Sequence, residues 1–199
     1  MLKSYYAEGV PEAGCDEAGR GCLAGPVFAA AVVLPSDASI EGLNDSKKIP
    51  EIKRFALRPM IEKMAVAFGV ASAEPAEIDE INILNASYLA MHRALDKLGM
   101  VPGRILVDGN RFRPYREISH KCIVQGDGKY LSIAAASVLA KTYRDDYMTE
   151  LDRLHPQYHW KKNKGYPTRQ HRLAIKEHGV TVFHRKSFRL TGEQLKLQF

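Results

Sequence analysis

Two carboxylates stand side by side at Asp16-Glu17, and Gly19-Arg20-Gly21 follows them within the stretch Gly14-Cys-Asp-Glu-Ala-Gly-Arg-Gly21. Adjacent acids repel, and burying them costs free energy unless a cation or a proton compensates. Glycines, lacking a Cβ, let a ligand approach the backbone closely. Any fold that accepts this segment has to supply the compensation, and an acid pair beside a glycine–arginine turn suggests a metal held next to a phosphate.

The surrounding pattern is that of a layered α/β protein. Val27 to Leu34 reads as a buried strand closed by Pro35-Ser36-Asp37, with Ala13 to Glu17 as its hairpin partner. Ile49 to Met64 reads as a helix with Ile52, Phe55, Ala56, Met60 and Met64 on one face. Pro50 suits its first turn, whereas Pro59 is expected to kink or break it. Ala65 to Ala73 reads as a further strand. Asn82 to Leu98 is a helix with the apolar stripe Leu84, Tyr88, Met91, Leu95 and Leu98, and Gly99 is placed to end it. Arg104 to Asp108 and Lys121 to Val124 are short strands. Leu131 to Leu154 is a long helix whose small, apolar start, Ser132 to Ala140, should pack tightly. Thr168 to His178 is a shorter helix ending at Gly179. Strands come early and helices dominate late, so a mixed sheet flanked by helices is expected.

A length of 199 residues suggests one domain, 1–199. The formal charge of +6 favours polyanionic partners. From Lys141 to Arg189 there are twelve Lys/Arg against five Asp/Glu, so the bases crowd the C-terminal third. Three cysteines, Cys15, Cys22 and Cys122, with no CxxC pair argue against a disulfide framework or a zinc site and fit a reducing cytosol. No apolar leader opens the chain, and the longest apolar stretch, Leu23 to Leu34, is too short to span a bilayer. A cytoplasmic protein with no membrane partner is expected.

The acids that matter lie at strand ends or beside glycine. Asp16 and Glu17 end the first strand, Asp108 ends Ile105-Leu-Val-Asp, and Asp127 lies between Gly126 and Gly128 before the long helix. If they converge, four carboxylates could hold two hard divalent cations such as Mg²⁺ or Mn²⁺, roughly 3.5–4 Å apart, to activate water and stabilise a leaving oxygen. An aspartate before glycine is also an ordinary turn residue, so the residues alone leave both readings open.

These motifs resemble bacterial ribonuclease HII. Gly14 to Gly21 with Leu23-Ala-Gly-Pro-Val27 is similar to the family's opening; Leu43-Asn-Asp-Ser-Lys-Lys48, Glu77 to Leu84 and Leu106-Val-Asp-Gly-Asn110 follow. Gln125-Gly-Asp127, Ile133 to Lys141, Arg144-Asp145, Lys164-Gly-Tyr-Pro-Thr168, His171 and His184-Arg-Lys-Ser-Phe188 complete it in the family's order. The resemblance implies a ribonuclease H-like fold, with a catalytic core over about 13–154, a C-terminal helical portion over about 155–190 and a tail, 191–199. It implies metal-dependent cleavage of RNA in RNA–DNA hybrids, and incision 5′ to a lone ribonucleotide in duplex DNA, leaving 5′-phosphate and 3′-hydroxyl ends. The family's metal-site acids fall on Asp16, Glu17, Asp108 and Asp127, with Mg²⁺ or Mn²⁺ as cofactor. Asp145, in an Arg-Asp pair on a helix, is expected in an ion pair.

The same resemblance gives a substrate reader. Gly19-Arg20-Gly21 would read the 2′-hydroxyl through backbone contacts, Arg20 offering a guanidinium fork to phosphate. Tyr166 would pack on the sugar 3′ to the ribonucleotide. Asn44, Ser46, Lys47, Lys141, Arg185, Lys186 and Ser187 are candidate phosphate contacts, which position a duplex without reading its sequence. The tail Gln194-Leu-Lys-Leu-Gln-Phe199 is similar to the short peptides by which bacterial proteins bind the sliding clamp. A monomer is expected. The rivals are a non-catalytic binding protein, against which the complete acid set argues, and the sister ribonuclease HIII, whose extra N-terminal domain has no room before Asp16.

Overall fold

A computed structural model describes residues 2–43 and 49–191. Asn44, Ser46 and Lys47, and the tail segment Gln194 to Phe199, lie outside the described residues.

Strand β1 (Glu12–Ala18) forms the antiparallel hairpin with β2 (Val27–Val33), in the register Asp16 opposite Ala30, and β3 (Ala67–Ala73) adds antiparallel to β2. On the other side of β1, β4 (Arg104–Asp108) and β5 (His120–Ile123) add in parallel. The result is a mixed five-stranded sheet in the order β3-β2-β1-β4-β5. Its two faces follow from the alternation of side chains along a strand. In β2, Val27, Ala29, Ala31 and Val33 join one core cluster while Ala30 and Val32 join the other. The first cluster is covered by helix α2 (Pro75–Asp96), the second by α1 (Glu51–Met64) and α3 (Leu131–Leu154). The alanine-rich start of α3 is buried from Leu131 through Ala140, as its composition led us to expect.

Two helices differ from their expected form. In α1 the buried residues are Leu57 and Ile61, whereas Ile52 is 85% exposed and Met60 45%. The inner side of α1 is partly polar: Arg58 bonds Glu62 and Asp146 and stacks on Tyr143 of α3 at 3.5 Å, which an apolar count does not register. Pro59 does not break α1; it is exposed, so the carbonyl its missing N–H would have served can be hydrated. Helix α2 begins at Pro75, seven residues before the expected Asn82, with a reciprocal Glu74–Glu77 capping box. Asn82 itself is a kink, with φ +65°, and its Oδ1 accepts the N–H of Leu84 and Asn85. It caps the second half of the helix, which is why that half looked like a complete helix.

After α3 the chain turns through α4 (Trp160–Asn163) and α5 (Arg169–His178) and folds back on α3. Leu23, Ala24, Met148, Leu151, Tyr158, Trp160, Ala174 and Ile175 form a third apolar cluster there. Cys15 and Cys22 are buried packing residues. Among the described residues no helix is long and apolar enough to cross a membrane.

Candidate active site

The parallel pairing of β1 with β4 builds the site. The register sets Cys15 beside Val107, so the next residues on the two strands are Asp16 and Asp108. Alternation turns Asp16 to the same face as Gly14, toward α3. There Lys141 Nζ lies 3.7 Å from Asp16 Oδ2 and also bonds Ser137. Ser137, Lys141, Arg144 and Asp145 follow helical spacing along α3, and the last three line one open cleft of about 560 Å³ together with Asp16, Glu17 and Asp108. A hollow of about 680 Å³ at the other end of β1 is mainly apolar. Its buried acid, Glu12, is already engaged by the Tyr6 and Ala7 N–H groups and by Arg104.

The acids carry an electrostatic load. Burial, followed by the charges of Glu17 and Asp108, pushes the Asp16 carboxyl up to about 7, against the pull of Lys141 and Ser137. Burial also raises Glu17, which Arg20 opposes with an ion pair of 3.1 Å. Asp108 Oδ1 accepts the Gly126 N–H at 2.7 Å, tying β4 to the short 3₁₀ turn Gly126–Gly128. Asp127 is on that turn, 2% exposed, and is not among the residues lining the cleft. The structure thus gathers three of the four expected acids in the cleft and holds the fourth, buried, on the turn bonded to Asp108.

Hard oxygen donors with too little positive charge around them fit a divalent cation. The fit is one of donor chemistry: among the described residues, no three His, Cys, Asp or Glu side chains form a ready metal cage.

The other expected residues divide sharply. Gly19, Arg20, Gly21 and Tyr166 all line the cleft, and Tyr166 is 47% exposed. Gly19 has φ +92°, and a Cβ there would meet Arg144 Nε at 2.0 Å, so this turn requires glycine. Arg185, expected at a phosphate, is instead fully buried, because all three guanidinium nitrogens bond backbone carbonyls. Lys186 and Ser187 are exposed, but Asp79 holds both their N–H groups and the Ser187 hydroxyl. Asp145 pairs with Arg54 at 3.7 Å, as expected of an ion pair, and it lies in the cleft wall.

Several cleft residues were given no site role in the sequence reading: Arg54, Arg144, Lys162 and Lys164. Arg144 carried a usable signal, three residues after Lys141 on the same helix. Arg54 carried none, because its place depends on how α1 docks on α3.

Comparison with known proteins identifies the family and the fold. A family model described as Ribonuclease HII matches residues 13–191. A ribonuclease HII from Parabacteroides distasonis is 62% identical over 199 residues, the whole of both chains. Among solved structures, the ribonuclease H2 from Pyrococcus horikoshii OT3 superposes with a TM-score of 0.72 at 26% identity, over 90% of this chain and 94% of that one. Bst RNase HIII, solved in complex with Mn²⁺, superposes with a TM-score of 0.71 at 19% identity, over 91% of this chain and 68% of that one.

Proposed function

The chain belongs to the ribonuclease HII family and is a ribonuclease H-type hydrolase, and from that premise we propose that it incises the RNA strand of RNA–DNA hybrids and cuts 5′ to single ribonucleotides in duplex DNA. The observation that carries this reading is the convergence of Asp16, Glu17 and Asp108 with the Gly19-Arg20-Gly21 turn and Tyr166 in one cleft. Asp16, Glu17 and the turn are neighbours in sequence, whereas Asp108 and Tyr166 come from distant parts of it and reach the same cleft through the β1–β4 pairing and the C-terminal fold-back.

Divalent ions, Mg²⁺ or Mn²⁺, would be held by Asp16, Glu17 and Asp108, with Asp127 as the fourth acid from the turn bonded to Asp108; when bound, they activate water and stabilise the leaving oxygen. Bst RNase HIII, which shares the fold, binds Mn²⁺. The chain's own residues do the rest. Lys141, from α3, steadies Asp16 and offers a cation at the cleft floor. Arg20 is exposed beside Glu17, placed to exchange that carboxylate for a phosphate. The turn amides receive the ribose 2′-hydroxyl, the group that tells RNA from DNA. Tyr166 presents a ring to the sugar on the 3′ side, where a flat face disfavours a further hydroxyl. Lys162 and Lys164 line the cleft on the same side and suit the duplex backbone. Asn44, Ser46 and Lys47 are proposed as further backbone contacts, and residues 1–199 as one unit. The tail, Gln194 to Phe199, is proposed as a clamp-binding peptide; its deletion should abolish binding to the sliding clamp and leave incision intact.

The deciding experiment uses a DNA duplex with one embedded ribonucleotide, incubated with and without Mg²⁺. Metal-dependent incision on the 5′ side is expected, leaving 3′-hydroxyl and 5′-phosphate ends. An uncut duplex, or cutting that ignores the metal, would overturn the proposal.

A further inference from the structure

Two arginines are buried with no carboxylate in direct contact, although the charge of Asp79 reaches Arg185 and that of Asp145 reaches Arg144. Arg185 is 0% exposed and Arg144 2%, and among the described residues neither lies within salt-bridge distance of a carboxylate. An unpaired buried charge is costly, so its donors must be fully used if the fold is to keep it. Arg185 uses them on the turn beside the acid pair. Its Nη2 donates to the carbonyls of Gly19 and Gly25 at 2.8 Å each, its Nη1 to Arg20 O at 2.9 Å, and its Nε to Gly25 O at 3.0 Å. Its own N–H donates to Leu23 O at 2.9 Å, and its guanidinium lies 5.2 Å from the Phe188 ring centre. Arg144 works from α3 on the same loop, bonding Ala24 O and Pro26 O, and it also holds Lys164 O beside Tyr166.

In a trans peptide unit the carbonyl and the N–H point in opposite directions, and there is no cis peptide among the described residues. Drawing the carbonyls of Gly19 and Arg20 inward therefore turns the N–H groups of Arg20 and Gly21 outward. Neither of those amides donates to another described residue, and both residues line the cleft. Lysine could not replace this arrangement, since a single ammonium lacks the planar fork that reaches three carbonyls at once.

We propose that Arg185 is a positioning residue for ribose recognition: from inside the protein it fixes the carbonyl side of the Gly19-Arg20-Gly21 turn and so presents the Arg20 and Gly21 amides as paired donors to the substrate. It touches no substrate atom and acts through the backbone alone. The proposal rests on the reading of the turn as the ribose reader. It places a specificity determinant some 165 residues along the chain from the turn it sets.

The test compares two affinities of the full-length protein, with EDTA present so that nothing is cut: for a duplex carrying one ribonucleotide, and for the same duplex entirely in DNA. The wild-type protein is expected to prefer the first. Arg185→Lys keeps the charge and loses the fork; its preference should shrink by about 10-fold, the worth of one or two charge-assisted hydrogen bonds, while affinity for the all-DNA duplex stays within about twofold. Phe188→Leu, which keeps the arginine and removes its ring platform, should shrink the preference by roughly 2–4-fold. A wild-type protein with no preference overturns the reading of the turn, and this role with it. A wild-type preference that survives Arg185→Lys, or a loss equal on both duplexes, overturns the role of Arg185 alone. Circular dichroism establishes that each variant is folded; should Arg185→Lys not fold, Phe188→Leu is judged by the same ratio.

Discussion

Asp16 meets two further carboxylates and one lysine, and that imbalance is built into the strands: Asp16 and Asp108 are neighbours by register, and Glu17 is adjacent by sequence. Such a site is unstable on its own and useful to a cation. The two consequences should separate in Asp108→Asn, which keeps an oxygen for the Gly126 N–H and removes one charge. Incision should fall by more than about 100-fold, because a proposed metal ligand is lost. Metal-free stability should hold or rise by about 0.5 kcal/mol, because repulsion is relieved. Cleavage assays and urea titration check both; full activity would remove Asp108 from the ligand set. Tyr166 offers a second separation, since only its ring is asked to contact the sugar. Tyr166→Phe should stay within about threefold of wild type in kcat/KM, whereas Tyr166→Ala should lose roughly 10–100-fold, the usual worth of an aromatic stacking contact. Equal losses in the two variants would mean that the hydroxyl, not the ring, carries the function.

Between elements, the contact that places Asp16 is the crossing of β1 under the first turn of α3. A Cβ on Gly14 would come within 2.2 Å of the Ser132 carbonyl carbon and 2.4 Å of the Ile133 N, both backbone atoms that cannot rotate away. Gly14→Ala should therefore push α3 off the sheet and cost about 2–4 kcal/mol, read as a lower urea midpoint. It should also weaken incision, since Lys141 rides on the same helix. Wild-type stability in this variant would show that the interface yields easily. What the sequence revealed and what it hid follow from the same contrast. Strand β2 and helix α3 were legible because their burial is nearly uniform and apolar, as in Val27–Val33 and in the alanine run of α3. The inner face of α1 was hidden because Arg58 contributes to it through a stacked guanidinium, and the first half of α2 was hidden by a glutamate capping box in place of the commoner serine or threonine. The acids at strand ends were legible one by one; their meeting required the parallel β1–β4 register, which no local pattern encodes. Arg185 was legible as a cation and misplaced as a surface one, since its burial depends on a carbonyl cluster more than 150 residues away in the chain.

At the scale of the molecule, the C-terminal fold-back is fastened by a relay of neutral imidazoles. Thr181 N–H donates to His184 Nδ1 at 3.0 Å, which leaves His184 Nε2–H to face His171 Nε2 at 3.3 Å. Trp160 Nε1–H donates to the same His171 Nε2 at 2.9 Å, which leaves His171 Nδ1–H for the carbonyl of Tyr166 at 2.9 Å. One tautomer of each ring fits these contacts, with the single lone pair of His171 Nε2 shared between Trp160 and His184, and a charged ring does not fit them, because an added proton would point a donor at a donor. Burial, reinforced for His184 by the neighbouring His171 and His155, holds both rings below the ordinary histidine range, His184 at about 4. The unfolded chain binds these protons near pH 6.5 and the folded chain does not, so between pH 6.5 and about 4 the two rings by themselves lower stability as pH falls, while Asp16, held up to about 7 by burial, takes a proton in the folded state and opposes them. The rings' share of the change should reach roughly 1–2 kcal/mol by pH 5. Urea midpoints of the wild type and of His184→Gln at pH 7.5, 6 and 5 measure it by difference: the wild type should lose stability relative to the variant across that window. A difference between wild type and His184→Gln that stays constant from pH 6.5 to 5 would show that the rings take protons without unfolding. If that relative loss appears, the relay ties the whole fold to the Tyr166 carbonyl, and acid should loosen the tyrosine's loop before the sheet that carries the acids.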